Sequence, residues 1–208
     1  MIKIALVGDI CSGKTYISKL FKEPVFNADY EVAKIYKKNK KCFKKLKKKF
    51  PKFIDRFPIE KKNIINLLLS NKKNFQYLGN IVHPFVRQKL KKFCSKNKKK
   101  KLVILDIPLF LENKMYGKDD IIVFVKTKKK EVNKKIRERP NFNKILVEKF
   151  KKLQLSLSQK RKKSHYVLNN NFKSEIVKKT VKILKRKILN DRNCAWYRNY
   201  RFISRQRS

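Results

Sequence analysis

Residues Gly8-Asp9-Ile10-Cys11-Ser12-Gly13-Lys14-Thr15 carry a spacing with a definite chemical meaning. The pattern G-x-x-x-x-G-K-[ST] wraps a loop around a polyphosphate. Consecutive backbone N–H groups turn inward, and the helix that follows adds its positive N-terminal end. Gly8 and Gly13 allow backbone angles and a close approach that a Cβ would block. Lys14 is placed to reach the β- and γ-phosphates, and the Thr15 hydroxyl to ligate Mg²⁺. The expected nucleotide contacts are Gly8, Cys11, Ser12, Gly13, Lys14, Thr15 and the adjoining Tyr16. A chance glycine turn with an exposed lysine would lack the flanks found here, a strand-like apolar run before the loop and a helical one after it.

A phosphate loop implies a nucleoside triphosphate but no particular reaction, so the acids matter next. Asp29 follows a short apolar run and precedes a helical segment. At the end of a strand, a carboxylate can accept the proton of a substrate hydroxyl and aim it at the γ-phosphorus. It can equally cap the helix that follows. Asp106 ends the run Leu102-Val103-Ile104-Leu105 and offers either support for Mg²⁺, directly or through water, or a turn before Pro108. The residues alone leave both pairs of roles open.

These groups need a scaffold. Ile2 to Val7 is a β-rich run ended by Gly8, Thr15 to Phe21 reads as a helix, and Val25-Phe26 as a brief second strand. From Tyr30 to about Leu90 apolar residues recur at helical spacing, broken locally at Pro51 and Pro58. Leu102–Leu105 and Ile121–Val125 are short continuous apolar runs that suit central parallel strands. Glu131 to Lys163 reads as helical with an interruption at Pro140-Asn141, Tyr166–Leu168 as a last strand, and Ser174 to about Asn190 as a closing helix. The alternation predicts a doubly wound α/β parallel sheet, with the stretch at about 30–90 as a helical insertion. Residues 191–208 read as an appended Arg-rich tail in which Trp196, Tyr197 and Tyr200 lie among arginines.

The chain has 208 residues, 41% apolar, and a net charge of +44. Such a charge attracts phosphates of every kind, nucleic acids included. Most of the basic residues are lysine, Asn, Ile and Phe are plentiful, and Gly is scarce, which is the pattern of coding sequence drifting toward AT-rich codons. The lysines also spread along the chain, whereas nucleic-acid binders gather theirs on one face. Cys11, Cys42, Cys94 and Cys194 lie far apart, with no spacing suited to zinc, and are expected to stay thiols in a reducing cytoplasm. The apolar run at the N-terminus is too short for a signal peptide and no stretch is long enough to span a bilayer, so a cytoplasmic protein without a membrane partner is expected.

Five blocks together resemble one family. The phosphate loop Gly8–Thr15, Asn27-Ala28-Asp29, Ile81-Val82-His83-Pro84, Asp106-Ile107-Pro108-Leu109-Phe110-Leu111-Glu112 and Tyr166-Val167-Leu168-Asn169-Asn170 stand in the order and spacing of the dephospho-coenzyme A kinases. The resemblance covers about residues 1 to 188 and implies a P-loop kinase core with a helical acceptor-binding insertion and a helical lid at about 131–160, all in one domain at 1–190. It implies ATP with Mg²⁺ as phosphoryl donor and the ribose 3′-hydroxyl of dephospho-CoA as acceptor. On that resemblance Asp29 falls on the catalytic base and Lys14 and Arg139, the lid arginine, on groups that act at the phosphates. His83 and Pro84 fall on the pair bordering the acceptor site, and Lys61, where the family usually has Arg, on the acceptor region. Without it, His83 reads as a structural histidine at a helix start, with Pro84 in the first turn.

Several positions depart from the family pattern: Asp9 and Cys11 replace glycines in the loop, Asn27 and Asn169 replace Asp, Pro140 replaces the Asp after the lid arginine, and Phe172 replaces a Gly near the expected adenine pocket. Two other readings remain. Another small-molecule kinase, such as a nucleoside monophosphate kinase, would share the loop and lid but not the Asn-Ala-Asp and His-Pro blocks. A basic nucleic-acid binder with a vestigial loop would need a continuous basic face with interleaved aromatics, which only the tail offers. No specific nucleic-acid partner is expected, and a monomer is.

Overall fold

A computed structural model describes residues 1–138 and 143–191 of the chain. In chain order the elements are β1 (Ile2–Gly8), α1 (Lys14–Leu20), β2 (Val25–Asn27), α2 (Ala28–Lys38), α3 (Lys40–Lys49), α4 (Lys61–Ser70) and α5 (Asn74–Lys96). After these come β3 (Leu102–Asp106), β4 (Asp120–Lys126), α6 (Lys129–Arg137), α7 (Lys144–Lys152), α8 (Leu157–Lys162), β5 (Tyr166–Asn169) and α9 (Ser174–Asp191). The strands form one parallel sheet in the order β2-β3-β1-β4-β5.

The three middle strands are largely apolar, with charged residues mainly toward their ends, because both faces are covered. Side chains alternate along β1: Ile2, Ile4 and Leu6 face a core shared with Ile17 of α1 and Val177, Val181 and Ile188 of α9. Ala5 and Val7 face a second core built from α2 to α5, with Ile35, Cys42, Leu46, Leu67 and Val82. Each such aliphatic side chain taken from water to full burial stabilises the fold by about 1.5–3 kcal/mol. Helices on both faces make the sheet doubly wound, as the alternation predicts.

Register then aligns the carboxyl ends. Gly8 stands beside Val125 on β4, and Asn27 beside Asp106 on β3. Open α/β sheets hold their ligands at that edge, and here it gathers the phosphate loop, Asn27 and Asp106.

Several boundaries differ from the sequence expectation. Residues 50–60, around Pro51 and Pro58, are not helical, so the insertion is four helices rather than one interrupted stretch. His83 and Pro84 do not start a helix: they lie deep inside α5. The His83 ring leans back against Gly79, one turn earlier, where no Cβ competes for the space. Pro84 removes one backbone bond, to the Asn80 carbonyl, and the rest of α5 holds through Leu78, Val82 and Val86 in the core. Among the described residues, the stretch from Glu131 to Lys163 holds three helices. Within it the chain turns after Leu153 and restarts at Ser156, which closes a capping box with Gln159.

The end of α4 is tied to α7 across the molecule. The Lys149 ammonium donates to the carbonyls of Leu68 and Leu69 at 3.0 and 2.9 Å, and Phe75 meets Phe150 edge-on with centroids 5.1 Å apart. A cation on the last carbonyls of a helix satisfies unpaired acceptors and opposes the helix dipole.

Candidate active site

The loop from Gly8 to Thr15 leaves β1 and enters α1 through left-handed backbone. Gly13 caps the helix at φ 85, and Cys11 adopts φ 57. The loop thus keeps a glycine-like angle at Cys11 although a side chain makes it strained. Gly8 has no room for a Cβ, which would overlap the Val125 carbonyl at 2.7 Å. Asn170, just past the end of β5, braces the loop. Its amide donates to the Ser12 carbonyl at 2.8 Å and accepts from the Phe172 N–H at 3.0 Å.

Lys14 is held inside the loop by neutral oxygens, donating to the Asp9 carbonyl at 2.6 Å and lying 3.5 Å from the Ser12 hydroxyl. Burial lowers its pKa, and the charge of Lys160 lowers it further, against opposing pulls from Asp106 and Asp9. Nucleotide phosphates would supply the counter-charge that these neutral oxygens lack. The Asp9 carboxylate accepts from the Ile10 N–H at 2.7 Å, so this unusual acid occupies one of the loop amides.

Asp106 is the meeting point. It is 4% exposed, and its Oδ2 accepts from the Thr15 hydroxyl at 2.7 Å and from the Asn27 amide at 2.8 Å. The other end of the Asn27 side chain accepts from the Tyr30 N–H at 2.8 Å, so Asn27 caps α2. The capping role open to Asp29 is therefore filled by its neighbour. Asp29 is exposed in the first turn of α2, where a negative charge suits the helix dipole. Thr15 and Asp106 bring a hydroxyl and a carboxylate together, a hard-oxygen donor set that fits Mg²⁺.

The remaining expected residues scatter more widely. Lys61 opens α4 and is exposed. His83 is half-buried, and burial followed by the charge of Arg87 lowers its pKa, which favours the neutral imidazole. Tyr16 shares a 2.8 Å hydrogen bond with Ser174 at the start of α9. Arg139 and residues 192–208 of the tail lie outside the described residues. Two groups join the site beyond those the sequence singles out. Asn170 stands out in the sequence only as part of a block, and Lys160 not at all. Lys160 lies 3% exposed on α8 and donates to the Gly8 carbonyl at 3.3 Å. The break before Ser156, signalled by Ser-x-x-Gln, is the readable clue that α8 is a separate helix.

Comparison with known proteins points to one family. A family model described as dephospho-CoA kinase matches residues 2–175. A dephospho-CoA kinase of Wolbachia pipientis is 33% identical over 86% of this chain and 94% of its own length. One from Fusobacterium nucleatum is 32% identical with the same coverage of 86% and 94%. A crystal structure from Thermus thermophilus superposes with a TM-score of 0.73 at 26% identity, covering 89% of this chain and 97% of that one. A Campylobacter jejuni dephospho-CoA kinase shares the fold at a TM-score of 0.61 and 20% identity, over 89% and 96% of the two chains.

Proposed function

The chain belongs to the dephospho-CoA kinase family, and from that premise we propose how its residues phosphorylate dephospho-CoA in the last step of coenzyme A synthesis. The donor is ATP, held by the loop from Gly8 to Thr15 with Lys14 at its phosphates and Cys11, Ser12, Gly13 and Tyr16 around them. The acceptor is the ribose 3′-hydroxyl. Asp29 accepts the hydroxyl proton while the new O–P bond forms, the bond from the γ-phosphorus to the bridging oxygen breaks, and ADP leaves. Lys14 opposes the charge that develops on the transferring oxygens.

Thr15 and Asp106 would hold Mg²⁺. When bound, that ion neutralises phosphate charge and orients the donor. Helices α2 to α5 would form the acceptor side, with Lys61, His83 and Pro84 along it. Helices α6 to α8, with Arg139 between α6 and α7, would form a lid over the donor. All of these groups come from one chain, so a monomer in the cytoplasm suffices.

The observation that carries the reading is the convergence of Thr15, Asn27 and Asp106 at the mouth of the phosphate loop, with Asp29 two residues beyond Asn27. The test is incubation of the purified protein with Mg-ATP and dephospho-CoA, followed by chromatography for coenzyme A. Asp29→Asn should lower turnover by about 10²–10⁴-fold while leaving the KM for ATP within about threefold. An unchanged rate would remove Asp29 from the chemistry, and absence of coenzyme A with wild-type protein would end the assignment.

A further inference from the structure

Beneath the phosphate loop lies a second, buried charge network. The Lys160 ammonium donates to the Gly8 carbonyl at 3.3 Å and to Gln154 Oε1 at 2.6 Å, and it stands 3.1 Å from Glu112 Oε1. Three acceptors use all three of its protons. The same Glu112 oxygen accepts from the Leu155 N–H at 2.9 Å. One ion pair therefore ties together three separate segments. These are the first residue of the loop, the stretch after β3 and the turn between α7 and α8.

Stability alone is a poor reason for such a pair, because well-packed apolar side chains often do as well in its place. Position offers a better one. Lys160 is close enough to Lys14 for their charges to repel, while Lys14 itself rests on neutral oxygens. The charge sum of Lys160 and Glu112 is thus felt where polyanionic phosphates must sit, in a region shielded from solvent screening.

We infer that Lys160 is a positioning residue for the phosphoryl donor and that Glu112 offsets its charge, so that the balance of this pair sets how tightly the loop holds nucleotide phosphates. The pair fixes Gly8 from below and keeps the field there close to neutral. Phosphates then meet the charge of Lys14 without being gripped too hard for ADP to leave. This deepens the kinase reading and rests on it.

The test is calorimetric binding of Mg-ADP to wild type, Lys160→Met, Glu112→Gln and the double variant, with a melting curve for each. Lys160→Met leaves an anion under the loop and should weaken ADP by about tenfold, whereas Glu112→Gln leaves a cation and should tighten it several-fold. The double variant, again neutral, should fall between them and near wild type. A purely structural staple would instead weaken both single variants in step with their melting temperatures, and that result overturns the inference. If an orphaned charge stops either single variant from folding, Gln154→Glu decides. It keeps the shape and the acceptor and adds a negative charge beside Lys160, so about tenfold weaker ADP supports the inference and unchanged binding overturns it. Failure of wild type to bind Mg-ADP would sink the nucleotide reading itself, along with this inference. Wild-type binding with no opposed shift overturns the inference alone.

Discussion

Replacing Gly13 with alanine tests the loop geometry at its tightest point. Two costs can be separated. Gly13 sits at φ 85, and an L side chain in left-handed backbone costs about 1–2 kcal/mol. A Cβ there would also overlap the amide nitrogen of Asn170. Moving that buried amide would break its 2.8 Å bond to the Ser12 carbonyl and disturb the one it accepts from Phe172, a loss of about 1–3 kcal/mol. Gly13→Ala should therefore destabilise the fold by about 2–5 kcal/mol in urea unfolding. Asn170→Ala should cost about 1–3 kcal/mol by itself, through the hydrogen bonds alone. In the double variant the clash has nothing left to displace, so its loss should match that of Gly13→Ala and not the sum of the two. Additivity within about 0.5 kcal/mol would refute the claim that Asn170 braces the loop through the space the glycine leaves.

Two further outcomes follow from the site and the core. Lys14→Ala should lower kcat/KM by about 10²–10³-fold, since a donor aimed at developing charge is typically worth about 3 kcal/mol, and near-normal turnover would refute its placement at the phosphates. Burial raises the Cys42 thiol from 9.0 to about 11, and burial with the nearby Cys42 also pushes Tyr36 upward. The folded state thus binds more protons than the unfolded one above pH 9. The stability Cys42 lends is complete below pH 9 and is lost as pH rises toward about 11, while that of Tyr36 begins to fall only above pH 10 and outlasts it. For Cys42 that amounts to about 2–3 kcal/mol. Unfolding midpoints that stay flat across this window in wild type, or that fall equally in Cys42→Ala, would contradict the assignment.

What the sequence made legible tracks the strength of local signals. The phosphate loop, the three central strands and the closing helix were readable because each is a short-range pattern: a fixed spacing of glycines, an apolar run, an apolar stripe. The end of β2 was less so. Asn27 and Asp29 lie two positions apart, both suit a helix cap, and only the pairing of Asn27 with Asp106 across the sheet decides which one takes it. His83-Pro84 misled because proline favours a first turn, yet α5 buries enough apolar surface on both sides to absorb one missing bond. Lys160 was hidden by composition. In a chain crowded with lysine, a single buried one carries no mark, and its partners Glu112 and Gly8 lie far off in sequence.

The tie between α7 and α4 sets how readily these two helices separate. Pulling α7 away would strip Lys149 from two carbonyls and part Phe150 from Phe75, at a combined cost of about 3 kcal/mol. At equilibrium that leaves on the order of one molecule in a hundred or fewer with these helices separated. A ligand that enters only through such a gap binds more slowly than diffusion allows, by the same factor. Trimming the Lys149 side chain would therefore quicken both entry and escape, trading residence time for throughput.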